Sequence, residues 1–104
     1  MKAEGEASKK LFGQAVEHNQ ERLRLAKQLE GENGIQKQIN VQHWLGRCYL
    51  EQAMKAKGEA SEQLFGQAAK HHQQQLRLAK QLEDENGIQE QINAQFSLGC
   101  CYFE

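Results

Sequence analysis

Residues 24–40 read RLAKQLEGENGIQKQIN, and residues 77–93 read RLAKQLEDENGIQEQIN. These near-identical stretches, 53 residues apart, decide the architecture. Each joins one run of helically spaced apolar residues to another through a short stop rich in Gly and Asn. Outward from them, Met1–Glu51 aligns without gaps on Met54–Glu104, with 36 identities over 51 pairs. A fixed period of this size is the signature of stacked helical units, each burying its apolar stripe against its neighbours. Copies this close imply a recent duplication, a consensus design, or an excerpt from a longer array.

Each copy reads as two helices. The first spans about residues 7–29, with Leu11, Phe12, Ala15, Val16, Leu23, Leu25, Ala26 and Leu29 at helical spacing. Ser8 is a candidate N-cap, and Gly31-Glu32-Asn33-Gly34 is the stop. The second spans about 35–54, with Ile35, Ile39, Gln42, Leu45, Gly46 and Tyr49 on one side. Their equivalents are about 60–82 and 88–103. Gly58 either breaks the chain or sits in a continuous helix at a cost of about 1 kcal/mol. Gly46 and Gly99 fall mid-helix, where glycine costs stability unless another backbone approaches closely. Helices of ~20 residues are ~30 Å long, and short turns make sequence neighbours antiparallel. The expected fold is all-α: two tandem helical hairpins, four antiparallel helices, in one domain over 1–104. Repeat 1 covers about 1–53 and repeat 2 about 54–104.

Composition agrees. The 104 residues include no Pro, no Thr and only two Val, which favours helix over sheet. Gln is in excess, at 16, while Leu, Ile, Val and Phe total 21, near the lower limit for a chain that folds alone. A net charge of −1 gives no reason to expect nucleic-acid or anionic-membrane binding. No apolar run approaches the ~20 residues of a membrane span, and the N-terminus lacks a signal-peptide core. Three cysteines form no disulfide framework, which suits a reducing intracellular compartment, with the cytoplasm expected.

Several motifs resemble a known family. Leu45-Gly46-Arg47-Cys48-Tyr49 and Leu98-Gly99-Cys100-Cys101-Tyr102 resemble the leucine-glycine-x-x-tyrosine core of the first helix of the tetratricopeptide repeat. Phe65-Gly66-Gln67-Ala68 with Leu76 and Leu78 resembles its second helix, as do Phe12, Ala15, Leu23 and Leu25. His71-His72-Gln73 followed by Leu76-Arg77-Leu78-Ala79-Lys80 is similar to the long repeats of the LGN and Tonsoku-like type. Sel1-like repeats are the second match. The period is longer than the family's, and the closing proline is replaced by Glu83-Asp84-Glu85-Asn86-Gly87. Asn19 and His72 stand where a bulky aromatic is usual, and Arg22 and Gln75 where a small residue is.

The resemblance implies a peptide or protein partner on a concave face lined by the first-type helices. In the first copy that face is Asn40, His43, Arg47, Leu50 and Glu51. In the second it is Asn93, Phe96, Cys100, Phe103 and Glu104. His43, Trp44, Arg47 and Leu50 are replaced by Phe96, Ser97, Cys100 and Phe103, while packing positions barely change. That contrast marks a face tuned for recognition, or one drifting freely. An Asn and Arg pair suits a peptide carboxylate or acidic side chain through charge-assisted bonds; Phe96 and Phe103 suit apolar anchors.

Other constellations read blandly. His71 and His72 are adjacent and point ~100° apart on a helix, and no C-x-x-C or H-x-x-x-H spacing exists, so no metal and no cofactor is expected. Cys48 and Cys101 share a repeat position and read as structural; Cys100 is the more exposed thiol. No positioned acid–base set points to an enzyme. The expected function is a non-enzymatic interaction scaffold. The last helix carries Ile88, Ile92, Phe96 and Phe103 with nothing after it, so self-association is expected, simplest as a homodimer. The alternative is an engineered or duplicated consensus module with a structural role and no natural ligand. A closed four-helix bundle is the competing architecture.

Overall fold

The computed structural model describes the backbone of residues 2–103 and the side chains of residues 9–101. Four helices follow one another: α1 (Lys2–Ala26), α2 (Gly31–Lys55), α3 (Gly58–Ala79) and α4 (Glu85–Phe103). The described residues contain no strand. The expected all-α array of two hairpins is therefore what forms.

Several helix boundaries differ from expectation by two to five residues. α1 ends at Ala26, because its last carbonyls are taken by tightening turns: Gln28 N–H donates to Leu25 O and Leu29 N–H to Ala26 O. The Gly31–Gly34 stretch is then the first turn of α2 rather than the stop of α1. Gly34 is needed there because a β-carbon would lie 2.8 Å from the Leu29 carbonyl carbon; Gly87 faces Leu82 in the same way, at 2.9 Å. Ser8 lies inside α1 and is no cap. Its counterpart Ser61 instead donates to Ala53 O at 2.8 Å, tying α3 to the end of α2. Gly58 does break the chain: its φ of +64° is left-handed, a conformation that favours glycine.

The helices stack in sequence. α2 packs most extensively on α3, then α3 on α4 and α1 on α2. α2 touches α4 only lightly, and among the described residues α1 touches neither α3 nor α4. The molecule measures 47 × 29 × 16 Å, a flat slab, and with α1 packed on α2 alone among the described residues the closed-bundle alternative falls. In place of one central core there are three small clusters. Val16, Val41 and Leu45 join α1 to α2; Ile39, Ala79 and Leu82 join α2 to α3; Ala68, Ala69, Leu98 and Cys101 join α3 to α4. Burying Ile39 or Leu45 contributes ~1.5–3 kcal/mol each. Ala53, Ala68, Ala79 and Ala94 are buried and let the helix axes approach closely.

Tyr49 links three helices. Its ring meets Phe12 of α1 edge-on (5.4 Å between centroids, 83°) and stacks on His71 of α3 (5.3 Å, 13°). One residue of α2 thus fixes the azimuth of both neighbours, since paired rings hold preferred angles.

Candidate partner-binding groove

The interface between α2 and α3 is a polar seam set into an apolar frame. His71 Nδ1 donates to Gln42 Oε1 at 2.7 Å, and His72 Nδ1 donates to Gln75 Oε1 at 2.9 Å. An amide oxygen only accepts, so each Nδ1 carries the hydrogen and each Nε2 is left an acceptor. His72 is fully buried, and its Nε2 has no hydrogen-bond partner. The Nε2 edge of the ring is pressed against the α2 backbone at Gly46. A β-carbon there would come within 2.8 Å of His72 Cδ2 and closer still to Cε1 and Nε2. The mid-helix glycine is thus explained by a ring, not by a second backbone.

Burial pushes the His72 imidazole below its ordinary pKa, outweighing the Gln75 hydrogen bond that pulls it up; nearby His43 lowers it further. His71 is lowered by burial and then by His72 and Lys70. His43 is lowered by burial and by Arg47, with Glu90 and Gln75 opposing. All three shifts favour neutral rings, which the low-dielectric seam requires.

Beside this seam runs a groove of ≈ 490 Å³. α2 contributes Ile39, Asn40 and His43 to its walls, and α3 contributes Gln75. α4 contributes Glu90, Ile92, Asn93, Phe96 and Ser97. Gln36 crosses between the first-type helices, donating from Nε2 to Glu90 and to Asn40 Oδ1 (3.3 Å). Asn93 Oδ1 accepts from Gln89 at 3.3 Å. The walls therefore offer amides, one carboxylate and an apolar rim.

Of the residues expected on the concave face, Asn40, His43, Asn93 and Phe96 come together here. The others do not. Arg47 is exposed outside the groove, 3.3 Å from Glu51 and over the Trp44 ring at 5.4 Å, so the expected Asn–Arg carboxylate clamp is not assembled. Leu50 packs against the α3–α4 cluster and serves the core. Cys100 is exposed and outside the groove lining. The side chain of Phe103 and the whole of Glu104 lie outside the described residues. Glu90, Gln75, Ile39, Ile92 and Ser97 line the groove too, outside the face expected from the sequence. Their signal was the i, i+3 and i, i+4 spacing around Asn93, which puts Glu90, Phe96 and Ser97 beside it.

The chain matches no family model, no curated protein and no solved structure. The groove's own chemistry therefore decides what it accepts. Among the described residues, no three or more His, Cys, Asp or Glu side chains converge as a metal-binding group. No described helix is long and apolar enough to cross a membrane. Cys48 is half-buried and Cys101 buried, and burial raises both thiol pKa values, against an exposed Cys100.

Proposed function

We propose that the protein is a non-enzymatic interaction scaffold of tetratricopeptide-like build, working in a reducing intracellular setting such as the cytoplasm. Its groove takes a peptide or a partner helix. The observation that carries this reading is the convergence of Asn40 and His43 from one copy with Asn93 and Phe96 from the other. His43 and Phe96 occupy the same repeat position yet differ, in a chain whose packing positions are nearly all repeated.

The lining defines the ligand class. Glu90 is the charged residue in the wall, and Arg47 is held elsewhere by Glu51. The favoured ligand is thus an apolar anchor flanked by donors, such as backbone amides, Lys or Arg, rather than an acidic peptide. The test is a peptide array followed by calorimetry on the hits. Asn40→Ala and Glu90→Gln should each weaken a genuine ligand about tenfold, the effect of losing ~1.4 kcal/mol. Hits that bind both variants as tightly as the wild type would remove the groove from the reading.

Self-association through α4, in its simplest form a homodimer, is the second half of the proposal. A structural or assembly role without a natural ligand is the other reading, and one observation favours it. Exposed pairs such as Lys27 and Lys80, Glu30 and Glu83, and Glu32 and Glu85 are identical although none of them is buried in a core cluster. That is what a fresh duplication or an engineered consensus leaves behind.

A further inference from the structure

The period of 53 residues lets the two outer faces of the slab be compared with the joint inside it. α2 and α4 are equivalent helices, and so are α1 and α3. The joint of α4 with a following helix of the α3 kind, and the joint of α1 with a preceding helix of the α2 kind, have no counterpart within the chain. Both unmet faces can be read from the α2–α3 joint, which is present.

In that joint, Ile39 of α2 is 1% exposed because it packs with Ala79, the last residue of α3, and Leu82 in the turn after it, with Ile35 and Leu78 alongside. The equivalents on α4 are Ile92, 57% exposed, and Ile88, also exposed. The equivalents are Leu25 and Ala26 at the end of α1 and Leu29 in the turn after it. These three line an open cavity of ≈ 600 Å³ against α2, its other walls including Arg22 and Val41. The α1 cavity is therefore the seat that Ile39 fills inside the chain, left empty. The polar seam has equivalents too. His71 and Gln42 correspond to His18 and Gln95, both exposed. Gly46, covered by His72, corresponds to Gly99, whose surroundings are open to 4 Å, and His72 corresponds to Asn19. The residues that differ change together. The His43, His72 and Gln75 group becomes Phe96, Asn19 and Arg22, which sets a guanidinium against an aromatic face, a favourable pair.

We propose that the free face of α4 docks into the free face of α1 of a second copy, in the geometry by which α2 docks on α3. This rests on the self-association half of the proposed function and specifies it. The contact is heterologous: the two faces differ, so a pair of copies still has one free face of each kind. Joints of this type add copies head to tail and form open chains in place of a closed pair.

The experiment is light-scattering mass after size exclusion, in reducing buffer, over a concentration series. Ile92→Glu blocks the α4 face and Leu25→Glu the α1 face. Both positions are exposed and helical, and circular dichroism checks that helicity is kept. The wild type should grow past two copies as concentration rises. Each variant alone should remain near 11.9 kDa. Mixed, they retain one good face each and should give 1:1 pairs of about twice 11.9 kDa and nothing larger. A wild type that is monomeric at millimolar concentration overturns both the joint and the self-association reading. Leu25→Glu stopping at a dimer while Ile92→Glu is monomeric overturns the head-to-tail joint alone, because that pattern belongs to symmetric α4–α4 pairing.

Discussion

Ile39 and Ile92 are the same residue at the same place in the two copies, yet one is 1% exposed and the other 57%. Gly46 and Gly99 repeat the contrast, the first pressed under the His72 ring and the second facing open space. The intrinsic preferences of α2 and α4 are nearly equal, since their sequences nearly coincide. What differs is the neighbour. α2 lies between α1 and α3, while α4 has α3 and a light contact with α2. In a stacked array, burial belongs to the position in the row, and equal residues carry unequal shares of stability.

The sharpest break of this comparison is truncation of the two isoleucines. Ile39→Ala should cost about 3 kcal/mol, the lost transfer energy plus a cavity between Ala79 and Leu82. Ile92→Ala should change the stability of the dilute protein by about 0.5 kcal/mol or less. Urea unfolding monitored by circular dichroism reads both. Equal losses would mean that α4 is covered as well as α2 in solution. Next come the glycines, where the signs should differ. Gly46→Ala drives a β-carbon into the His72 ring and should cost about 2 kcal/mol, because a buried ring between two helices has little room to yield. Gly99→Ala meets nothing and should stabilise the helix by up to about 1 kcal/mol. A stabilising Gly46→Ala would show that the His72 ring moves freely.

Most of this fold was legible because the repeat, the helical spacing and the glycine stops agree with one another. The helix ends were less so. Gly31–Gly34 has the composition of a terminator, and only the approach of the Leu29 backbone explains why Gly34, in the first turn of α2, is a glycine. Four of the ten residues of the expected face, Asn40, His43, Asn93 and Phe96, converge in the groove. Arg47 and Leu50 leave it for reasons that lie across space. Glu51 draws the guanidinium away, and the α3–α4 cluster takes up the leucine. Periodicity assigns a side of a helix, but it does not say which of two adjacent packed helices that side will meet. The His72–Gly46 contact was hidden similarly. The glycine asked for a close neighbour, and the sequence left open whether a backbone or a ring would answer.

The smallest expected effect concerns the seam that separates the covered joint from the open ends. His43, His71 and His72 all sit below their ordinary pKa, in each case chiefly through burial. The unfolded chain then binds more protons than the folded one at mildly acidic pH, so stability rises with pH across that window. The contribution is intact above the ordinary histidine value of ~6.5 and is lost as pH falls through the folded values. The slope cannot exceed about 1.4 kcal/mol per pH unit for each histidine, and it is less for His43 and His71, which are half-buried and partly screened by water. His72→Asn installs the residue that the first copy carries at Asn19. It should flatten the acid limb, while Lys80→Gln on the exposed side of the α3 end should leave it unchanged. An acid limb of the same steepness in His72→Asn would move the proton-linked stability out of the seam. The α2–α3 joint would then owe its strength to Ile39 and its alanine frame alone.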